Sequence, residues 1–340
     1  MNDKVKTLAP QILEEIKKAN NILLHCHPST DGDSVGSSLA MMHYLKLLGK
    51  NVTVIIGDDG EVPGYLKVLP GSDQILEKNY LEIDPTKFDL FIINDSSSID
   101  RVSRLGEVKF PSNMKTIVID HHASNTGFGD INLTLPETIA TGEILVSLFN
   151  EMGVEITKVM ATCLMISIYT DSGGFRFKGV TENTFDAAGK LAKINPDYHQ
   201  TIFDMNNNND PKSLISTGLV LTNIHNYFRG NVAIGEVTKQ MLNSHGISAE
   251  DAGGSETSNQ LISVPGWNIG ITLTEKEEGV VYVSMRTRDQ EKFDLSKIAV
   301  ELGGGGHKAA AGAEIKKPFN EAKQLLLETI QKVYPGLGKP

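Results

Sequence analysis

Residues 27–37 read HPSTDGDSVGS: His27 stands four positions before Asp31, and Asp31 two before Asp33. On an extended loop, side chains two apart share a side, so both carboxylates can face one cation. Gly32 and Gly36 let the backbone bend closely around such a site. The start of the helix that follows adds positive potential for an anion. A plain helix cap is the competing role for Asp33. Downstream, FIINDSSS sets Asp95 at a strand end, and TIVIDHHAS sets Asp120, His121 and His122 at another. In ISIYTDSGGFRF, Asp171 closes an apolar helix. A carboxylate there opposes the helix dipole, which a bound cation would offset. A strand-end aspartate or a histidine pair alone is ordinary loop chemistry. Several of them at one sheet edge form a site. Mixed carboxylate and imidazole donors suit manganese, with magnesium, iron or cobalt as alternatives, and do not match a cysteine-based zinc site. His25, two before His27, competes for the same ligand role.

Positioning these residues requires a particular frame. The spacing predicts helices near 7–19, 34–48, 137–152, 157–170 and 182–193, and strands at 21–25, 51–56, 88–95 and 116–120. Strands alternating with helices argue for an α/β, doubly wound parallel sheet, with ligands beyond the carboxyl ends of its strands. Three of the four strands end on an acid or a histidine. The stretch 194–213, with asparagines at 206–209, interrupts the pattern and reads as a linker. It separates a domain over 1–193 from a smaller α+β domain over 214–340. In that second part a helix is expected at 212–227. Strands are expected around 231–237, 267–275 and 279–288, in hairpin arrangement.

The 340 residues are 40% hydrophobic and 22% charged, as in an ordinary globular protein. The net charge of −10 argues against coating long nucleic acid but allows a small anionic substrate held by metals. No apolar run approaches the roughly 20 residues of a membrane span. The amphipathic, charged amino-terminal segment has no signal-peptide core, so a cytoplasmic location is expected. Cys26 and Cys163 are too few for a disulfide framework.

Late in the chain, GGGGHKAAAG runs from 303 to 312. Gly304, Gly305 and Gly306 can expose backbone N–H groups to a phosphate, and His307 and Lys308 add donors. Ala309 to Ala311 suit a tightly packed helix start. Arg286 and Arg288, two apart on a strand, share a face and suit a phosphate clamp.

HxxxDxD, the isolated strand-end Asp95, the DHH at 120–122 and the aspartate of TDSGGFRF resemble, in order, the four motifs of the DHH phosphoesterase family. GGGGHKAAAG is similar to the signature of its DHH-associated C-terminal domain. The resemblance spans nearly the whole chain and is nearest to the nanoRNase (NrnA-type) subgroup. It implies a two-metal centre in an interdomain cleft. His27 and Asp31 would hold one divalent ion, and Asp33, His121 and Asp171 the other, with Asp95 bridging. Asp120 would orient a histidine, and His122 would face the substrate phosphate, making Asp120, His122 and Asp95 the catalytic residues. Such a metal pair activates a shared water for in-line attack on phosphorus. Arg286, Arg288, Gly304, Gly305, Gly306 and His307 would bind substrate. One departure from the family is Thr30, which stands where a proline often precedes the first aspartate.

The implied activity is hydrolysis of very short oligonucleotides to mononucleotides, and of 3′-phosphoadenosine 5′-phosphate. A stand-alone phosphodiesterase for cyclic di-AMP or its linear product pApA is the close rival. A RecJ-like single-strand exonuclease fits the acidic chain less well. A family II pyrophosphatase would need a basic C-terminal motif, where GGGGHKAAAG stands instead. A nucleotide-binding regulator without activity would not need the full ligand set. Members of the family are often dimers, so the resemblance also allows a homodimer.

Overall fold

The computed structural model describes residues 3–57, 60–208, 210–252 and 257–339. It divides into two compact units, Met1–Asn208 and Asn209–Pro340.

The first unit runs α1 (Asp3–Lys18), β1 (Asn21–Cys26), α2 (Gly32–Leu47), β2 (Asn51–Ile56), β3 (Ile75–Leu76), β4 (Leu90–Asn94), β5 (Lys115–Asp120) and β6 (Ile131–Thr134). Four helices follow: α3 (Thr141–Glu151), α4 (Lys158–Asp171), α5 (Glu182–Ile194) and α6 (Tyr198–Asn206). The strands form one parallel sheet in the order β3-β2-β1-β4-β5-β6. Its strands are near-continuous apolar runs because both faces are buried. Ile22, Leu24, Ile92 and Ile119 point into the larger core, and Leu23, Phe91, Ile93 and Val118 into a second core on the opposite face. Strand order reverses between β1 and β4, and a crevice opens at the carboxyl ends on either side of such a switch. His27 follows β1 and Asp95 follows β4 there.

Two glycines let the helices behind that edge approach closely. A methyl group on Gly36 of α2 would lie 2.5 Å from the Cys163 carbonyl oxygen of α4. One on Gly142 of α3 would lie 2.0 Å from Ser167 Oγ of α4. Gly36 therefore serves helix packing, not the loop bend expected of it.

The second unit runs α7 (Pro211–Thr222), β7 (Ile224–Tyr227), β8 (Val232–Val237), α8 (Lys239–Ser244), α9 (Thr257–Leu261), β9 (Ile269–Glu277) and β10 (Val280–Thr287). It closes with α10 (Leu295–Glu301), β11 (Gly305–Gly306), β12 (Ala310–Ile315) and α11 (Phe319–Val333). The sheet order is β11-β12-β10-β9-β8-β7. Val281, Val283 and Met285 of β10 face the core, alternating with Tyr282, Ser284 and Arg286.

Several expectations need correction. The helix expected over 212–227 stops at Thr222, and 224–227 pair as a strand with β8. β8 and β9 run parallel, so this sheet is not a chain of hairpins. Ala310 and Ala311 open strand β12, not a helix. The segment 194–213 holds α6 and the first turn of α7, with the division of the units inside it. Of its asparagine run, Asn209 lies outside the described residues. Among the described residues no helix is long and apolar enough to cross a membrane.

Candidate active site

The carboxyl-terminal edge of the first sheet gathers all six expected metal ligands. They fall into groups whose donor atoms lie within 4.8 Å of one another: His27, Asp31 and Asp95, and Asp33, His121 and Asp171. A further group joins Asp95, His121 and His122.

Asp95 sits between the groups. It follows β4 with φ of +55°, the left-handed region that few residues other than glycine adopt. This torsion ends the strand and turns the side chain across the sheet edge. Its Oδ2 lies 3.1 Å from His27 Nε2, and its Oδ1 lies 3.4 Å from His121 Nε2. Each carboxylate oxygen thus faces a different imidazole. Burial works against charge on Asp95, but His121 and His27 outweigh it and hold the carboxyl well below the usual range.

His27 has its Nδ1 2.8 Å from the Pro28 carbonyl oxygen. A proton placed there leaves Nε2 with a lone pair aimed at Asp31, 3.3 Å away, and at Asp95. That is the tautomer a metal-ligating histidine needs. Asp31, not Asp33, caps α2 by accepting from the Ser34 N–H at 3.0 Å.

Asp33 is fully buried and faces the other way. Its carboxylate accepts from the Thr141 N–H at 2.7 Å, from the Gly142 N–H at 3.1 Å and from the Ser167 hydroxyl. His121 Nε2 is buried without a hydrogen-bond partner, yet carboxylate oxygens of Asp95 and Asp171 stand 3.4 Å away and that of Asp33 3.7 Å. An orphaned nitrogen ringed by acids is what a cation would satisfy, so the residues fit a metal. The protonation pattern agrees. Burial and neighbouring carboxylates push Asp171 up to about 9 and Asp33 to about 7. Burial would lower both His27 and His121, but the carboxylates facing them raise each to about 10. Protons balance the charge that a metal would otherwise balance.

Asp120 is fully buried, and its Oδ1 accepts from His122 Nδ1 at 2.7 Å. Its Oδ2 accepts from Asn125 Nδ2 at 2.6 Å. The histidine it orients is therefore His122, whose side chain is 39% exposed while Asp120 is sealed beneath it. His25 belongs to neither group. Its ring packs edge-on to Phe91, and its Nε2 lies 3.3 Å from both the Arg101 carbonyl and Ser96 Oγ.

In the second unit, Arg286 of β10 pairs with Ala310 of β12. Gly305 and Gly306 form edge strand β11 against Gly312 and Ala311. His307 and Ala310 exchange backbone hydrogen bonds, so His307, Ala310 and Arg286 lie in one row across the sheet. A methyl group on Gly304 would lie 2.1 Å from the Gly312 carbonyl, so a close strand approach explains this glycine. Arg288 lies beyond the strand, where its guanidinium donates to the Ile262 carbonyl, apart from the Arg286 row.

Sequence reasoning passed over Thr141, Ser167 and Asn125, which hold the acids, and Arg101, whose Nη2 lies 3.2 Å from His27 Nδ1. The only signal for Arg101 was its place six residues after Asp95 in DSSSIDR.

The description "DHH family, N-terminal domain" matches residues 21–168, and "DHHA1 domain" matches residues 231–334. The chain is 30% identical to the bifunctional oligoribonuclease and PAP phosphatase NrnA of Thermus thermophilus, covering 97% of this chain and 95% of that one. It is 24% identical to the protein of the same description from Bacillus subtilis, covering 95% and 98%. Among solved structures, an exopolyphosphatase-related protein from Bacteroides fragilis is similar with a TM-score of 0.86 and 26% identity, covering 98% of each chain.

Proposed function

The chain belongs to the DHH family and is a metal-dependent hydrolase of phosphoester bonds; from that premise we propose that it cleaves very short oligonucleotides to mononucleotides and dephosphorylates 3′-phosphoadenosine 5′-phosphate. One observation carries the reading: Asp95 offers one oxygen to the His27 group and the other to the His121 group. Two adjoining cation positions sharing a carboxylate suit phosphoester hydrolysis, and two relatives over nearly full length are described as an oligoribonuclease and PAP phosphatase.

Two divalent ions, manganese by the donor chemistry, would supply an activated water and neutralise phosphoryl charge. The chain's own residues do the rest. His27 and Asp31 would hold one ion, and Asp33, His121 and Asp171 the other. Thr141, Gly142 and Ser167 hold the Asp33 carboxylate in place. Asp120 keeps the His122 proton on Nδ1, leaving Nε2 for a proton exchanged with the phosphate or its leaving oxygen. In the second unit, Arg286 and His307 share a row suited to a terminal phosphate, whereas Arg288 is engaged elsewhere. A substrate held by a few such donors is short, which fits the acidic chain.

A panel with manganese tests this: a dinucleotide, a longer oligomer, 3′-phosphoadenosine 5′-phosphate, cyclic di-AMP and pyrophosphate. Turnover of the dinucleotide and the bisphosphate is expected. Preference for the longer oligomer would sink the short-substrate reading, and preference for cyclic di-AMP would move it to the rival phosphodiesterase.

A further inference from the structure

The turn after Asp95 brings two arginines to the metal cluster. Arg101 is half-buried, with Nη2 3.2 Å from His27 Nδ1. Arg104 is exposed and donates through Nη1 to Ser29 Oγ at 3.0 Å. The backbone of this turn is anchored from below, because the Arg101 carbonyl lies 3.3 Å from Nε2 of fully buried His25. Burial and Arg104 work against the charge on Arg101 and outweigh Asp95, Asp31 and Asp100, which favour it.

Two facts leave the Arg101 guanidinium with work to do. First, a His27 ring that offers Nε2 to a cation carries its proton on Nδ1, where Pro28 O accepts it. Arg101 Nη2 then faces a donor, so its hydrogens are left for an anion. Second, on the two-metal reading, the charges of Asp31, Asp33, Asp95 and Asp171 cancel those of two divalent ions. The ions and these four carboxylates together then carry no net charge to draw a phosphate in from a distance, whatever the ions do at contact. A fixed cation beside the cluster supplies what is missing, and guanidinium suits phosphate geometry.

We propose that Arg101, with Arg104 behind it, binds a non-bridging oxygen of the phosphate undergoing cleavage, on the His27 side of the cluster. The inference rests on the phosphoesterase reading and adds a substrate-binding residue to it. Arg104 acts at longer range, as an exposed and screened charge.

Binding of inorganic phosphate to the manganese-loaded full chain, followed by calorimetry, tests the proposal. Arg101→Gln should weaken phosphate about 10–100-fold, the scale of a charge-assisted hydrogen bond, and leave manganese stoichiometry and affinity unchanged. Arg104→Gln should weaken it less than about threefold. Unchanged phosphate affinity in Arg101→Gln overturns the proposal. So does loss of manganese from that variant, since Arg101 would then act through His27. Should the glutamine variant not fold, Arg101→Lys keeps the charge and the stem, and a drop of about 3–10-fold is the supporting result, no drop the contrary one. Absence of manganese-dependent turnover in the unaltered chain would instead overturn the phosphoesterase reading, and this inference with it.

Discussion

The Asp33 carboxylate accepts the backbone N–H of Thr141 at 2.7 Å, so a side chain of α2 caps the amino terminus of α3. The local cap position, Ala140, has no side chain able to do this. Asp33 is thus a structural anchor as well as a candidate ligand. Asp33→Ala should lower the stability of the metal-free chain by about 1–2 kcal/mol, the usual cost of a lost cap. Chemical denaturation in the presence of a chelator measures it, and an unchanged midpoint would separate the cap from stability.

Asp171 should behave in the opposite way. Burial and the carboxylates of Asp33, Asp95 and Asp31 disfavour its charge, and His121, 3.4 Å away, offsets them only in part. Asp171→Asn should raise the metal-free Tm by roughly 2–4 °C while removing manganese binding. A lower Tm would show that Asp171 supports the fold as well as the site.

Loading should offset the pH dependence of the metal-free chain. His27 and His121, raised from 6.5 to about 10, stabilise the fold fully below about 6.5 and lose that contribution as pH rises through 10. Asp171 adds the same sign, because the unfolded chain gives up this proton near 4 and the folded one only near 9. The metal-free Tm should therefore fall between about pH 6.5 and 9.5. A divalent cation held by these residues would displace these protons, so the Tm gain on adding manganese should grow across the same window. Thermal melts with chelator and with manganese check both slopes.

Asp120→Asn should spare the metals and damage turnover. Asn125 already donates to one carboxylate oxygen and His122 to the other, and an amide cannot accept on both sides. A fall of about 10–100-fold in kcat with unchanged manganese content is expected. Loss of the metal instead would move Asp120 into the ligand set.

Gly36→Ala should cost about 1–3 kcal/mol and weaken manganese binding, since it forces α2 away from the Cys163 carbonyl of α4 and so separates Asp33 from Asp171. Gly189→Ala, on α5 with nothing within 4 Å, serves as control and should stabilise by about 0.5–1 kcal/mol.

That the candidate ligands share one sheet edge was legible, because each lies at or beside the end of an element whose periodicity shows around it: His27, Asp95 and His121 after β1, β4 and β5, Asp31 and Asp33 at the start of α2, and Asp171 at the end of α4. The parallel sheet followed from the same alternation. What stayed hidden is non-local. That Asp33 caps α3 depends on a contact with Thr141 across most of the unit. The parallel pairing of β8 with β9 depends on partners that no short stretch encodes. Ala310 and Ala311, good helix formers, became a strand because β10 and β11 flank them. Arg101 was missed because one arginine in a polar turn carries no pattern.

The cluster draws on chain from His27 to Asp171, the last at the end of α4. No fragment that stops short of the end of α4 can therefore assemble both groups, and full capture of the cations waits for the chain through Asp171. A cation at a hundred times its dissociation constant then adds about 2.7 kcal/mol to the folded form alone. Supply of the ion thereby governs how long the finished chain resists proteolysis, as well as how fast it turns over.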